Sequence, residues 1–227
     1  MRRIRQRLRR WHIWLGWLVG LPFLVWTLSG LVMVARPIEE VRGEGLIADS
    51  PALPSGLAPV VPAIGPRPVA SLRLEPRPDG PKWLIRYADG GARLADARNG
   101  RLLPPPAAAA AARIVAARYT GQARIVAVDR IAADSPPLDF RRKVAAWRVT
   151  MSDGTRFYLD SATGEILARR TRWWRFYDFM WGLHIMDLKT REDAHNPLTI
   201  GFAIAALAIS LLALVLLPLA TRWRSKK

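Results

Sequence analysis

"WRVTMSDGTRFYLDSATGEIL", residues 147–167, decides how the middle of this chain folds. Asp153-Gly154 is a turn signal between two strand-like runs, since both central residues of a type I′ hairpin turn need positive φ. "RFYLD" (156–160) alternates in polarity and is rich in aromatic and branched residues, as a half-buried strand should be. "DSATGEIL" (160–167) adds a second tight turn and another short strand. At an offset of 64 residues, "WLIRYADGGARLADARNGRLL" (83–103) repeats the pattern. Trp83 matches Trp147, Asp89-Gly90 matches Asp153-Gly154, Asp96 matches Asp160, Gly100 matches Gly164 and Leu103 matches Leu167. Such a repeat implies one supersecondary unit used twice.

Between the two copies, "PPPAAAAAARIVAARYTG" (104–121) reads as a helix, with proline tolerated in the first turn, alanine its best former and Gly121 a stop. "ARIVAVDRI" (123–131) reads as a strand, and "SPALPSGLAPVVPAIGPRP" (50–68) as an extended Pro-rich linker.

Two long runs flank this region. Residues 13–35, "IWLGWLVGLPFLVWTLSGLVMVA", and 198–220, "LTIGFAIAALAISLLALVLLPLA", carry no charge. Each is long enough to cross a hydrocarbon core of about 30 Å. The first could instead be a cleaved signal peptide behind "MRRIRQRLRR"; its length and Pro37, crowding a cleavage point after Ala35, favour an anchor. Arg2, Arg3, Arg5, Arg7, Arg9 and Arg10 precede the first run, and Arg222, Arg224, Lys226 and Lys227 follow the second. Both ends therefore read as cytoplasmic, which puts the middle outside. The net charge of +17 is explained by this topology rather than by nucleic acid, and the absence of cysteine excludes disulfides, thiol nucleophiles and covalent haem attachment.

The helix, the strand and the "DG…YLD..TGEIL" motif resemble a PepSY domain, and "RRWHIWLGWLVG" with "LHIMDL" resembles the PepSY-associated transmembrane family. The expected fold is an α+β extracytoplasmic PepSY-like domain, a helix on an antiparallel sheet with a repeated hairpin. Two transmembrane α-helices and an interfacial amphipathic helix hold it. The map is a basic tail at 1–12, span one at 13–35, a Pro-rich linker at 36–69, the domain at 70–171, the interfacial helix and turn at 172–197, span two at 198–220 and a basic tail at 221–227. The resemblance implies a bacterial inner-membrane protein with a periplasmic domain. It also implies a link to iron-siderophore uptake, since larger relatives include proteins that reduce the metal with membrane haem.

The three histidines, His12, His184 and His195, all border apolar segments. As haem b ligands, they would use imidazole as the axial group. Gly16 and Gly20, at i+4 and i+8 from His12, would let a flat macrocycle approach, with Phe23 and Thr27 beyond. Alternatives are an interfacial histidine at 12 beside a small-xxx-small packing face, a snorkelling His184, and His195 as a turn residue. "RWWRFYDFMWGLHIMDL" (172–188) puts Trp173, Tyr177, Met180, Trp181, His184 and Leu188 on one helical stripe. His12 lies a membrane span of about 30 Å from His184, so they cannot share a haem. His184 and His195 could share an iron only if "KTREDAHN" (189–196) folds back. Six-coordinate haem otherwise needs a homodimer or a redox-partner subunit. Arg9, Arg10 and Arg191 could meet propionates or lipid phosphates, and Asp187 could pin its loop with Arg191 or Lys189.

Residues 40–170 show no catalytic constellation and no histidine. Asp89, Asp96, Asp153 and Asp160 sit where aspartate bonds its own backbone, and Ser152-Asp153 lacks a nearby histidine. The short tails leave no flavin or nicotinamide site. Two functions follow. One is a haem-binding or electron-transfer accessory in siderophore-iron uptake, part of a membrane ferric-siderophore reductase. The other is a non-redox anchor presenting the domain to a peptidase, peptide or transport partner, with hairpin edges open to strand addition. The partners are the lipid bilayer, a second copy or redox subunit, and siderophore-uptake components, with no nucleic acid.

Overall fold

The computed structural model describes residues 2–224 and the side chains of residues 6–217. Residues 225–227 of the expected basic tail, and the side chains of Arg2, Arg3, Arg5, Arg222 and Arg224, lie outside this range. The chain forms two compact units. One comprises the residues up to Pro37 and those from Phe176 onward; the other is Ile38–Arg175.

The second unit holds α2 (Ile38–Arg42), strands β1 (Val69–Glu75), β2 (Lys82–Tyr87) and β3 (Ala92–Asp96), helix α3 (Ala108–Arg118), and strands β4 (Ile125–Ile131), β5 (Ala146–Met151), β6 (Arg156–Asp160) and β7 (Ile166–Arg170). Two antiparallel sheets result, ordered β1-β2-β3 and β4-β5-β6-β7. The repeat is therefore real in three dimensions. Trp83 pairs with Ala95 across β2–β3 as Trp147 pairs with Leu159 across β5–β6.

The turns correct one expectation. Gly90 and Gly154 have φ of 84° and 82°, yet neither Asp89 nor Asp153 has positive φ. Gly90 N donates to Tyr87 O and Tyr87 N to Gly91 O; Gly154 N donates to Met151 O and Met151 N to Thr155 O. This is a three-residue loop, a type I turn closed by a left-handed glycine, instead of a type I′ pair. The aspartates serve it from position two, with Asp89 Oδ1 accepting from Gly91 N and Asp153 Oδ1 from Thr155 N.

Each sheet must cover an apolar face, and the two copies solve this differently. In the second, Ala111 and Val115 of α3 pack on Val149, Met151, Phe157 and Leu159, the alternate residues of β5 and β6. The prolines at 104–106 precede α3 rather than open it, and the helix ends at Tyr119, short of Gly121. In the first copy there is no helix over the matching Ile85, Tyr87 and Ala95. Ile64, from the Pro-rich stretch, packs there instead. Val60 N donates to Ala97 O, and the Trp83 indole donates to Val60 O at 2.8 Å. The segment expected as a linker is extended but docked, because a chain kept out of helix by its prolines can still supply side chains and one ladder-like bond. The Trp147 indole makes the equivalent bond, to Pro106 O at 2.9 Å.

The opposite face of the second sheet is covered by the β4–β5 connection, residues 132–145. Phe140 stacks on Tyr158 with centroids 4.4 Å apart. Asp139 Oδ1 accepts from the Tyr158 hydroxyl at 2.8 Å, and Asp139 Oδ2 pairs with Arg156 at 3.0 Å. Arg170 Nε donates to Asp139 O at 2.6 Å. Burial, and then the bond to Asp139, push the Tyr158 hydroxyl up to about 12. The outer strands are irregular. Register slips by one residue at the start of β1, at the start of β4 and within β7. The free side of β3 is bridged by Leu102 at Ala95.

The other unit contains α1 (Arg2–Val34), most of α4 (Arg172–His184) and α5 (Pro197–Arg224). The most apolar 18-residue window has mean hydropathy 1.9 within Gln6–Val34 of α1 and 2.8 within Pro197–Leu217 of α5. Both are long and apolar enough to cross a membrane. The residues expected as an N-terminal tail continue the α1 helix from Arg2.

Two outcomes test this packing. Phe157→Ala should destabilise the sheet unit by about 3–5 kcal/mol, whereas Val126→Ala, at an exposed bulge, should stay within about 0.5 kcal/mol; hydrogen exchange of β5 and β6 amides in the full chain measures both. Absorbance at 295 nm should show Tyr158 ionising only near pH 12, a step missing from Tyr158→Phe. Because its folded pKa is raised, its stabilising contribution is complete below the unfolded tyrosine value of about 10 and is lost as pH rises through about 12.

Candidate functional site

Helices α1 and α5 pack together. On α1 the covered residues His12, Leu15, Gly16, Val19 and Pro22 form a stripe at spacings of three and four, and Ser29, Gly30 and Met33 are covered near the far end; on α5 the covered residues are Thr199, Phe202, Ala205, Ala206, Ile209, Leu212 and Ala213. A Cβ on Gly16 would lie 3.7 Å from Ile209, so this glycine is part of the helix contact. Gly20 faces open space, and Phe23 and Thr27 are exposed. A strict i+4 line drifts around a helix of 3.6 residues per turn, which is why they leave the stripe that His12 and Gly16 share.

The end of α4 locks onto α1 near its far end. His184 Nδ1 lies 3.0 Å from Trp26 O and 3.1 Å from Ser29 Oγ. The Ser29 hydroxyl itself donates to Trp26 O at 2.8 Å. A carbonyl only accepts, so Nδ1 carries the proton, and in the neutral ring Nε2 then bears the lone pair. The imidazole stacks on Trp26 at 4.7 Å and 21°. Gly30 gives the ring close approach: a Cβ there would come within 3.1 Å of His184 Cε1. Among the described residues Nε2 makes no hydrogen bond.

Beyond His184 the chain folds back. Asp178 and Arg191 form an ion pair at 2.8 Å with side chains 6% and 18% exposed, so both are substantially desolvated. The Trp181 indole donates to Arg191 O at 3.1 Å. Asn196 caps α5 by accepting from Thr199 N at 3.0 Å, while its Nδ2 donates to Ile185 O at 2.8 Å. Asp187 gathers the loop instead of pairing with Lys189 or Arg191. The Thr190 hydroxyl and the N–H groups of Thr190, Glu192 and Asp193 all donate to it, which holds its carboxyl below the usual carboxylate range. The buried line of α4 is Asp178, Gly182 and then Ile185, one step round from the stripe expected from sequence. Leu188 falls beyond the helix and is exposed.

The three expected ligand residues are not brought together. His184 sits against Gly30, eighteen residues along α1 from His12, or about 27 Å. His12 Nδ1 is buried without a hydrogen-bond partner among the described residues, on the stripe that packs against α5. His195 is exposed, with its backbone N–H on Asp193. The fold-back does occur, however, since Asn196 reaches Ile185, so the residues flanking that bond are His195 and His184.

Residue by residue, a haem fits unevenly. His184 has the kind of fixing bond a ligating imidazole uses: Nδ1 is held by a carbonyl and a hydroxyl, which leaves the Nε2 lone pair unused. His12 lacks the fixing bond, and Ile209 occupies the glycine face beside it. Arg191 is held by Asp178. Among the described residues no group of three His, Cys, Asp or Glu side chains could hold a bare metal ion. The residues missed from sequence are Trp26, Ser29, Gly30 and Asn196. A signal existed, because Ser29 and Thr27 are the only hydroxyl residues in 13–35.

In the sheet unit the aspartates serve turns. Asp96 Oδ1 accepts from Arg98 N, and Asp160 Oδ1 from Ala162 N and Thr163 N. A groove of about 370 Å³, lined by Pro105, Pro106, Arg130, Trp147 and Ser161, holds no acid–base pair.

Two membrane-length helices, with an α+β unit of two antiparallel sheets between them in sequence, define a membrane protein that lives in a lipid bilayer. The chain belongs to the family of the PepSY-associated TM region, whose family model matches residues 9–227. Comparison with curated proteins and with solved structures gave no match in either.

Gly30→Val should push the His184 ring off α1, and Asp178→Ala should strand Arg191 at a cost of about 3–5 kcal/mol. Replacing both members of that ion pair with Leu and Met should cost less than Asp178→Ala alone. Thermal unfolding of the full chain in detergent ranks these variants, and equal losses for the single and double changes would refute the ion-pair account.

Proposed function

We propose that the protein is a bacterial inner-membrane, haem b-binding accessory of electron transfer in siderophore-iron uptake or reduction. Its two termini are cytoplasmic and its sheet unit is periplasmic. One observation carries the haem reading: His184 Nδ1–H is fixed on Trp26 O and Ser29 Oγ, which leaves Nε2 available. The orientation is supported by Arg7, Arg9 and Arg10 before the first apolar run. The iron link rests on the resemblance drawn from the sequence motifs alone.

In this reading His184 supplies the axial nitrogen, Trp26 and Ser29 hold its ring, and Gly30 gives the close approach. Haem, when bound, supplies one-electron transfer. The sixth ligand comes from His195 of the same chain or from His184 of a second copy or a partner subunit. His12 lies too far along α1 to join them and serves the inner side. Electrons arrive from a membrane quinol or another subunit. The second reading is a non-redox anchor presenting its PepSY-like unit to a peptidase, peptide or transport partner.

A reduced-minus-oxidised visible spectrum of the full-length protein in detergent decides between them. The expected result is a haem band in wild type that His184→Ala abolishes and Ser29→Ala weakens. Loss in His195→Ala identifies the sixth ligand as intramolecular, and retention points to a second chain. A flat wild-type spectrum rejects the haem reading and leaves the anchor, and full haem in His184→Ala rejects His184 as its ligand.

A further inference from the structure

The connection between β4 and β5, residues 132–145, has no counterpart in the first copy. There, β1 and β2 are joined by "PRPDGP" (76–81), with Gly80 at φ 108°. The hairpin repeat does not need the longer loop, so what the extra residues carry is of interest. They carry "LDFRRKV" (138–144).

The loop is pinned from behind and bare in front. Asp139 and Phe140 are buried and held by Tyr158, Arg156 and Arg170 as described above. Phe140 N and Arg141 N both donate to Pro137 O, and Arg141 takes φ 57°, which turns the chain outward. Arg142 and Lys143 are exposed and form no ion pair among the described residues, and Leu138 and Val144 beside them are 39% and 37% exposed. Two cations flanked by two apolar side chains on a rigid base match an anionic, partly apolar surface.

The place of the loop in the chain says which surface. Arg141 lies over the Trp174 ring at 5.7 Å, and Arg170 over the same ring at 3.9 Å. Trp174 is two residues before Phe176, where the chain passes into the membrane unit. Trp173, Trp174, Phe176 and Tyr177 begin α4 with the aromatic content typical of a lipid headgroup zone. We propose that residues 138–144 form a docking finger for anionic phospholipid headgroups of the leaflet that α4 meets. Arg142 and Lys143 take the phosphates, and Leu138 and Val144 touch the glycerol level. This surface is independent of any haem.

The chain has no cysteine, so Val144→Cys gives a single labelling site. The full-length protein, labelled there with a fluorophore, is reconstituted into nanodiscs whose lipids carry a headgroup spin-label quencher. The discs contain either phosphatidylcholine alone or phosphatidylcholine with phosphatidylglycerol. Quenching should be strong in the anionic discs, weak in the neutral ones, and reversed by high salt. Arg142→Gln with Lys143→Gln should lower the docked-to-free ratio by roughly 25-fold, at about 1 kcal/mol per basic residue near the surface. Inorganic phosphate should compete no better than chloride at equal ionic strength. Equal quenching in both disc types, insensitivity to salt, an unchanged double variant, or specific displacement by phosphate would each overturn the proposal. The salt arm uses no substitution at the cations and decides the matter even if the double variant folds poorly.

Discussion

An antiparallel sheet with an apolar face must have that face covered, and this chain has two such sheets and one helix of sufficient length beside them. Everything distinctive about the sheet unit follows from that shortage. Helix α3 takes Val149, Met151, Phe157 and Leu159, and the Pro-rich stretch around Val60 and Ile64 takes Ile85, Tyr87 and Ala95. Phe140, from the long β4–β5 connection, takes the remaining face of the second sheet. Two copies of one hairpin thus end with three kinds of cover. The repeat supplies the strands, and the non-repeated segments supply the cores.

The helical unit meets a different constraint. In a hydrocarbon layer each backbone polar group has to be satisfied within its own helix or by a neighbour's side chain. Where α4 stops and α5 begins, Ile185 O would be left over; Asn196 and Thr199 both donate to it. Where α4 meets α1, Trp26 O takes protons from Ser29 and His184. The helix junctions are built from side-chain polar groups turned back on spare carbonyls. That same habit fixes the His184 imidazole.

Local signals were legible in the residues, and long-range ones were not. Asp-Gly pairs, the alternation of "RFYLD" and the alanine run placed β2, β3, β5, β6 and α3, because turn geometry and side-chain period act over a few residues. The turn type was misread because Asp-Gly suits both a two-residue loop and a type I turn closed by glycine. The docking of Val60 and Ile64 was hidden because proline-rich composition signals extension whether or not the chain is covered. The stripe on α4 was one step off because aromatic residues prefer an interface as much as a core. The meeting of Ser29 with His184 spans most of the chain, and no periodicity encodes it. Only the rarity of a hydroxyl in an apolar run hinted at it.

The irregular outer strands have a consequence for a molecule held in two dimensions. A one-residue bulge bends a strand and steepens its twist, which spoils it as a template for another chain. β1, β4 and β7 each carry such a slip, and Leu102 closes the side of β3. Proteins anchored in one bilayer present their folded parts at a common height and collide laterally far more often than free ones. Strand-to-strand fusion between copies would be the natural failure of such a population. With all four borders blunted, neither sheet presents a long regular edge to a neighbour.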